Sequence, residues 1–234
     1  MGTILLKDLR QQTREGTVVL FGLVLPLVLA FVLGLALGDQ PAGPGFDLTT
    51  RLAAGSSVFF LFFVVSGMTG LLRERHLGTL PRLLAAPVGD AAILGAKLVA
   101  GVLLGLLSMT ALVLITTFLY GARWGPPLQV AALVSATVLA ASGLSAAVAA
   151  FARTAEQAVN QQGALAVVLG LTGGALFPLP RTGWVEWVSL LAPHHWFLRG
   201  LEEGEPALPV AVLLGMALVT GAVAVARAGR TLRP

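Results

Sequence analysis

Six long apolar stretches, at residues 17–37, 52–72, 91–119, 128–151, 159–179 and 207–226, are separated by short charged or turn-rich segments. A hydrocarbon core about 30 Å thick takes about 20 apolar residues of helix to cross. Each stretch meets that length, and none alternates with the period of a half-buried strand. The expected fold is all-α: a polytopic membrane protein of six transmembrane helices, forming one transmembrane domain over residues 1–234. The first stretch is too long for the apolar core of a signal peptide and lacks a convincing cleavage site, so it reads as a retained anchor.

Composition narrows the function classes. Only 11% of the residues are charged and 56% are hydrophobic, against about 25% charge in a soluble domain; mean hydropathy is +0.89. A soluble enzyme and a disordered tail are excluded. The chain has no cysteine, which removes disulfides, thiolate metal sites and thiol catalysis. Its basic balance does not point to nucleic acid, because Lys and Arg are spread between apolar blocks and form no single patch.

Those cations set an orientation. With both termini in the cytoplasm, the inner segments hold Lys7, Arg10, Arg14, Arg73, Arg75, Arg82, Lys97, Arg153, Arg227, Arg230 and Arg233. The outer ones hold Arg51, Arg123, Arg181 and Arg199. Eleven against four follows the positive-inside rule. Tyr120, Trp124, Trp184, Trp187 and Trp196 all fall in the outer segments, where interfacial aromatics belong.

Two cytoplasmic segments carry more than charge. Residues 2–15 read as an interfacial helix, with Leu5, Leu6 and Leu9 on one side and Lys7, Arg10 and Arg14 on the other. The loop at 73–90 encloses a short helix, with Thr79 as N-cap, Pro81 in the first turn and Pro87 as its stop. Asp90 then caps the third span. A helix this short does not hold together alone in water. It presents Leu80, Leu83 and Leu84 beside Arg82, so it needs a surface to dock into: lipid headgroups or a soluble partner.

These residues resemble a known family. GTLPRLLAAPV, following Glu74, and LGAKL at Leu94–Leu98 are similar to the ABC-2-type permeases, the membrane subunits of ABC exporters. A second block agrees: AEQAVNQQGALAVVLGLTGGALFPLP, then WVEWVSLLAPHHWFLRGL. The likeness spans nearly the whole chain in order. It departs at His76 and Pro81, and the first outer loop (GDQPAGPGFDLTT) is shorter than in large members. The resemblance implies that 73–90 is a coupling loop at the contact with a separate ATPase: Thr79, Leu80, Arg82, Leu83 and Leu84 meet the partner, while Glu74 and Arg75 anchor the loop to neighbouring helices. It implies an outer re-entrant helical hairpin at 180–206, with short helices at Trp184–Leu191 and Trp196–Glu202 separated by Pro193. It also implies that the second and fifth spans of two permease copies line the substrate path. The aromatics Phe59, Phe60, Phe62 and Phe63, with Ser66, and the polar step Asn160, Gln161 and Gln162 would then form an apolar route with a polar inner mouth.

No energy source lies within these residues. The phosphate-cradling pattern G-x-x-x-x-G-K-[ST] is absent, and the nearest fragment, Gly95-Ala96-Lys97-Leu98, has no hydroxyl for magnesium. ATP and Mg are thus expected in a partner chain, with no cofactor and no metal in this one. His194 and His195 are adjacent, so a helix points them apart, and they read as interfacial hairpin residues. Protease patterns also fail: Ser142-Gly143 follows Ala-Ala, and Glu202-Glu203 lies outside the spans. No span has a carboxylate in its interior, which disfavours an ion-coupled carrier. Lys97 lies close enough to the third span's start to snorkel inward.

Small residues suggest close helix approach. Gly101 and Gly105 form a G-x-x-x-G face on the third span, and Ala132, Ala136, Ala140, Gly143 and Ala147 run along the fourth. These two spans are expected to pack together, and Pro26 to kink the first span. The expected function is the permease of an ATP-driven exporter in the plasma membrane. It would work with a second permease copy and two ATPase subunits, moving a hydrophobic or amphipathic molecule. An ion-coupled carrier, a non-transporting accessory protein and, more narrowly, a haem exporter permease are the alternatives.

Overall fold

In the computed structural model, residues 16–37, 47–65, 69–76, 78, 90–177, 179 and 182–231 are described. The expected interfacial helix at 2–15 lies outside them, as does most of the coupling loop. Among the described residues the secondary structure is entirely helical. Helix α1 runs Gly16–Val19, widens into a π turn at Leu20–Val24 and continues as Leu25–Leu37. It is followed by α2 (Leu48–Val64), α3 (Thr69–His76), α4 (Asp90–Tyr120), α5 (Pro127–Phe151) and α6 (Ala155–Thr172). Two short helices, α7 (Gly183–Ser189) and α8 (Pro193–Glu202), precede the last, α9 (Ala207–Thr231). Among the described residues, four stretches are long and apolar enough to cross a membrane: Leu20–Leu37, Ile93–Tyr120, Pro127–Phe151 and Ala207–Arg227. Helix α2 is apolar but shorter, and α6 opens with the polar turns of Glu156, Gln157, Asn160, Gln161 and Gln162.

Helix boundaries differ from the apolar stretches where backbone chemistry overrides hydropathy. The stretch at 52–72 is not one helix: α2 ends at Val64, and Val65 has left helical geometry (φ −81°, ψ 46°). The sequence there turns to Ser66-Gly67, poor helix formers. Likewise α6 starts four residues before the apolar stretch begins. Thr154 accepts the Gln157 N–H at 3.1 Å, and the Gln157 side chain accepts the Arg153 N–H at 2.8 Å, a variant of the capping box. It also stops before residue 179, because Gly173-Gly174 forms a Schellman end. Gly174 takes φ +73°, Ala175 N–H bonds the Gly170 carbonyl at 2.8 Å, and Gly174 N–H bonds Leu171 at 3.2 Å.

Pro26 acts through the turn ahead of it. Lacking an N–H, it cannot bond the Gly22 carbonyl four residues back, and Leu25 reaches back five residues, to Leu20. Ser108 on α4 donates to the Gly22 carbonyl instead, at 2.6 Å. A side chain at Gly22 would collide with that hydroxyl, at 2.9 Å from its Cβ.

Helix α5 is the centre of the chain. Two thirds of its span (67%) is buried, against 17% for α1 and α9. The expected pairing of the third and fourth spans is correct only in part. Gly105 on α4 does face Val138, as well as Leu61 of α2 and Val65 just beyond it, and Gly101 is buried. The small-residue stripe of α5, however, mostly faces α9 and α8: Gly143 abuts Ala217 and Thr220, and Ala136 and Ala140 pack with Leu213 and Trp196. Stripe geometry alone does not name the partner helix, since any backbone can close on it.

Candidate functional site

The second and fifth apolar helices, α2 and α6, lie against one another along their length. At one end, the Ala175 carbonyl occupies the space that a Cβ on Gly55 would fill. Further along, the Phe59 ring abuts Gly170, and the Phe63 ring lies 3.4 Å from where a Cβ on Gly163 would be. Between them the Gln162 side chain donates to the Phe62 carbonyl. Helix α2 is nearly enclosed by these contacts, whereas α6 keeps one face open. Along that face Asn160, Gln161 and Ala164 give way to Val167, Val168 (56% exposed) and Leu171, at the i, i+4, i+7 and i+8 spacing of a single helical stripe. The exposed stripe is polar near the start of α6 and apolar beyond it.

Phe59, Phe60 and Phe63 are half-buried and form an aromatic cluster with Phe21 of α1. Phe21 stacks on Phe63 at 4.8 Å between centroids, and Phe59 meets Phe60 edge-on at 5.1 Å. Among the expected path residues, these three phenylalanines are therefore brought together, and they back onto α6. Asn160 and Gln161 face outward on α6, and Ser66 lies outside the described residues. The neighbouring Phe62 turns the other way, fully buried, and stacks on His194 of α8 at 5.2 Å with ring planes 8° apart.

His194 therefore departs from the interfacial reading. It is fully buried, and burial pushes its imidazole down to about 3, so it is neutral. The two helices of the hairpin divide the work that the sequence assigned to both. Helix α7 holds Trp184 and Trp187 outward, at 76% and 74% exposure. Helix α8 inserts Trp196, Phe197, Leu198 and Leu201 into the core. Pro193 does not separate the two helices; it opens the second, at a first-turn position where its missing N–H does no harm.

Charge pairs mark the two ends of the α2–α6 unit. At the α2 N-terminus, Arg51 Nη2 donates to the Gly174 carbonyl at 2.8 Å, and its Nε lies 3.0 Å from Glu202 Oε1 on α8. One guanidinium thus ties α2, the end of α6 and the hairpin together, while Thr50 Oγ1 accepts the Arg123 N–H at 2.6 Å. At the opposite end, Glu74 on α3 meets Lys97 on α4, 3.4 Å between Oε1 and Nζ. Lys97 is 2% exposed, so it turns into the protein and does not snorkel out: the carboxylate offers a nearer counter-charge than the interface. Of the other expected partner-contact residues, Arg75 lies on α3. Thr79, Leu80, Arg82, Leu83 and Leu84 lie outside the described residues.

Sequence reasoning missed Arg51, Gly55, Phe62, Gln162 and His194 as organisers of this unit. Their signals were faint: a lone arginine at the head of an apolar block, an isolated glycine, and polar residues bordering apolar runs. None of these names a partner a hundred or more residues away.

Comparison with known proteins agrees with this architecture. The family model described as ABC-2 type transporter matches residues 1–205. The linearmycin resistance permease protein LnrN of Bacillus subtilis (strain 168) is 28% identical over 203 residues, covering 84% of this chain and 53% of that protein. The chain thus spans about half the length of this curated relative. On the family match across most of its length, this multi-pass membrane protein belongs to the ABC-2 type transporter family.

Proposed function

We propose that this chain is the permease subunit of an ATP-driven exporter that moves a hydrophobic or amphipathic molecule outward across the plasma membrane. The observation that carries the reading is the family match over residues 1–205; similarity to a resistance permease adds the sense of removing a harmful compound. Helices α1, α2, α4, α5, α6 and α9 are the six spans, and both termini face the cytoplasm. The Glu74–Lys97 end is then cytoplasmic, and the hairpin α7–α8 lies outside, its exposed tryptophans at interfacial depth.

ATP and Mg bind a separate ATPase subunit, present in two copies, which docks on the short helix at 79–87 through Leu80, Arg82, Leu83 and Leu84. A second permease copy, identical or related, completes the path. The open stripe of α6 suits that path: Asn160 and Gln161 make a hydrated inner mouth, and Val167, Val168 and Leu171 continue it as an apolar wall. The half-buried phenylalanines behind it supply apolar surface that rearranges as α2 and α6 move.

The test is capture of the assembled transporter from native membranes through a tagged permease. A phosphate-loop ATPase should co-purify, and Leu83→Asp with Leu84→Asp should release it. Retention of the ATPase by that variant would refute the docking site. Transport that persists with no ATPase would favour the ion-coupled carrier.

A further inference from the structure

The Glu74–Lys97 pair invites a physical question, because packing alone does not call for it. Replacing a buried ion pair by apolar residues of similar volume is commonly neutral or stabilising. What a charge pair adds is geometry: it holds two elements in one register. Here the elements are α3 and α4. Lys97 lies seven residues into α4, about 10 Å along its axis at 1.5 Å per residue. Its ammonium runs alongside α3, 3.5 Å from where a Cβ on Gly70 would stand and 3.4 Å from Glu74 one turn later. Larger side chains at Gly70 would occupy the ammonium's place.

Around the pair, packing is shallow. Leu72 of α3 shares a cluster with Ile93, Leu94 and Leu98 of α4, and the other members are all alanine: Ala146, Ala149, Ala152, Ala155, Ala158 and Ala224. Alanine methyls bury little area and interlock weakly, so they leave α3 free to slide or turn unless something else fixes it. Helix α3 packs on α6 and, less extensively, on α5, so the Glu74–Lys97 pair is its charged tie to α4; from there α3 leads in sequence toward the 79–87 segment.

We infer that Glu74 and Lys97 are positioning residues that lock α3 to the third span, so that force applied at the 79–87 segment is delivered to α4 and α6 and not lost as slippage of α3. This rests on the proposed ATPase docking. Neither residue touches cargo or nucleotide.

The chain has no cysteine, which makes a single engineered thiol a clean reporter. Asn160→Cys, on the exposed stripe of α6, is introduced into the permease–ATPase complex in lipid vesicles. Its rate of reaction with a water-soluble maleimide is measured with and without ATP. On the otherwise native background, ATP should change that rate. Glu74→Gln and Lys97→Met should shrink the ATP-dependent change at least tenfold, while the ATPase subunit stays bound and continues to hydrolyse ATP. The paired variant Glu74→Met with Lys97→Met guards against simple misfolding. It should match the native complex in thermal midpoint and still fail to respond.

A native response in either single variant, or in the paired methionine variant, would overturn the inference and leave the exporter reading intact. So would release of the ATPase subunit by the single variants, since the pair would then serve docking. Absence of any bound ATPase or ATP response on the native background would refute the exporter reading itself, and the inference with it.

Discussion

The two ends of the α2–α6 unit are joined by different means. At the Arg51 end, backbone meets backbone: the Ala175 carbonyl lies over Gly55, and the Gly174 carbonyl is held by Arg51, itself paired with Glu202. The core alongside is built from large side chains, including Phe62, Met109, Trp124, Leu133 and Phe197. At the Glu74 end, side chain meets side chain, and the surrounding cluster is mostly alanine. Backbone contacts leave little room for adjustment, because no rotamer change can relieve them. Side-chain contacts over small methyls leave that end room to shift as a whole, with the Glu74–Lys97 pair keeping α3 and α4 in one register. The first end is therefore suited to be a pivot and the second a joint that swings about it.

Substitutions at the pivot should act on stability, the largest first. Gly55→Val places a branched side chain where the Ala175 carbonyl lies and should destabilise by about 3 kcal/mol; its unfolding midpoint in detergent measures this. A variant as stable as the native chain would break the comparison. Arg51→Met removes the charge-assisted bond to Gly174 and the ion pair with Glu202, and should cost about 2 kcal/mol in the same assay.

His194 sharpens the contrast through pH. Its folded-state imidazole is held near 3 by burial, below the ordinary 6.5, so the folded form resists protonation that the unfolded chain accepts. Its contribution is intact above about pH 6.5 and is lost as pH falls toward 3, at about 1 kcal/mol for each pH unit. His194→Phe, which preserves stacking on Phe62, should flatten that part of the stability–pH curve. An unchanged slope would remove His194 as its source.

Ser108→Ala leaves the Gly22 carbonyl without its donor beside the π turn and should cost about 1 kcal/mol. At the other end, the paired methionine substitution of Glu74 and Lys97 should have the smallest effect on stability, less than about 1 kcal/mol in either direction. Its loss should fall on the response to ATP. If it instead unfolds the protein as Gly55→Val does, the distinction between pivot and joint fails.

Much of this architecture was legible in the residues. Apolar length and the absence of strand alternation gave the all-helical membrane class, and the ordered blocks around GTLPRLLAAPV and AEQAVNQQG gave the family. Helix ends were less legible, because hydropathy does not register capping. Thr154 and Gln157 draw α6 into polar sequence, and Gly173-Gly174 end it within an apolar run. Partner choice was the least legible. The alanine stripe of α5 was expected against α4 but mostly serves α9 and α8. His194 read as interfacial because its neighbours are aromatic and outer, yet it fills the space beneath Phe62. Glu74 reads as an anchor to neighbouring helices but without a named partner, and Lys97 as a residue reaching for the interface; only the fold brings their charges together.

The most direct test reconstitutes the purified chain in lipid vesicles, with and without the proposed ATPase subunit, and follows movement of a fluorescent amphipathic probe. The account predicts ATP-dependent movement with the ATPase present, and neither movement nor ATP hydrolysis from the chain alone. Probe movement by the isolated chain, driven by an ion gradient or by ATP that it hydrolyses itself, would contradict it.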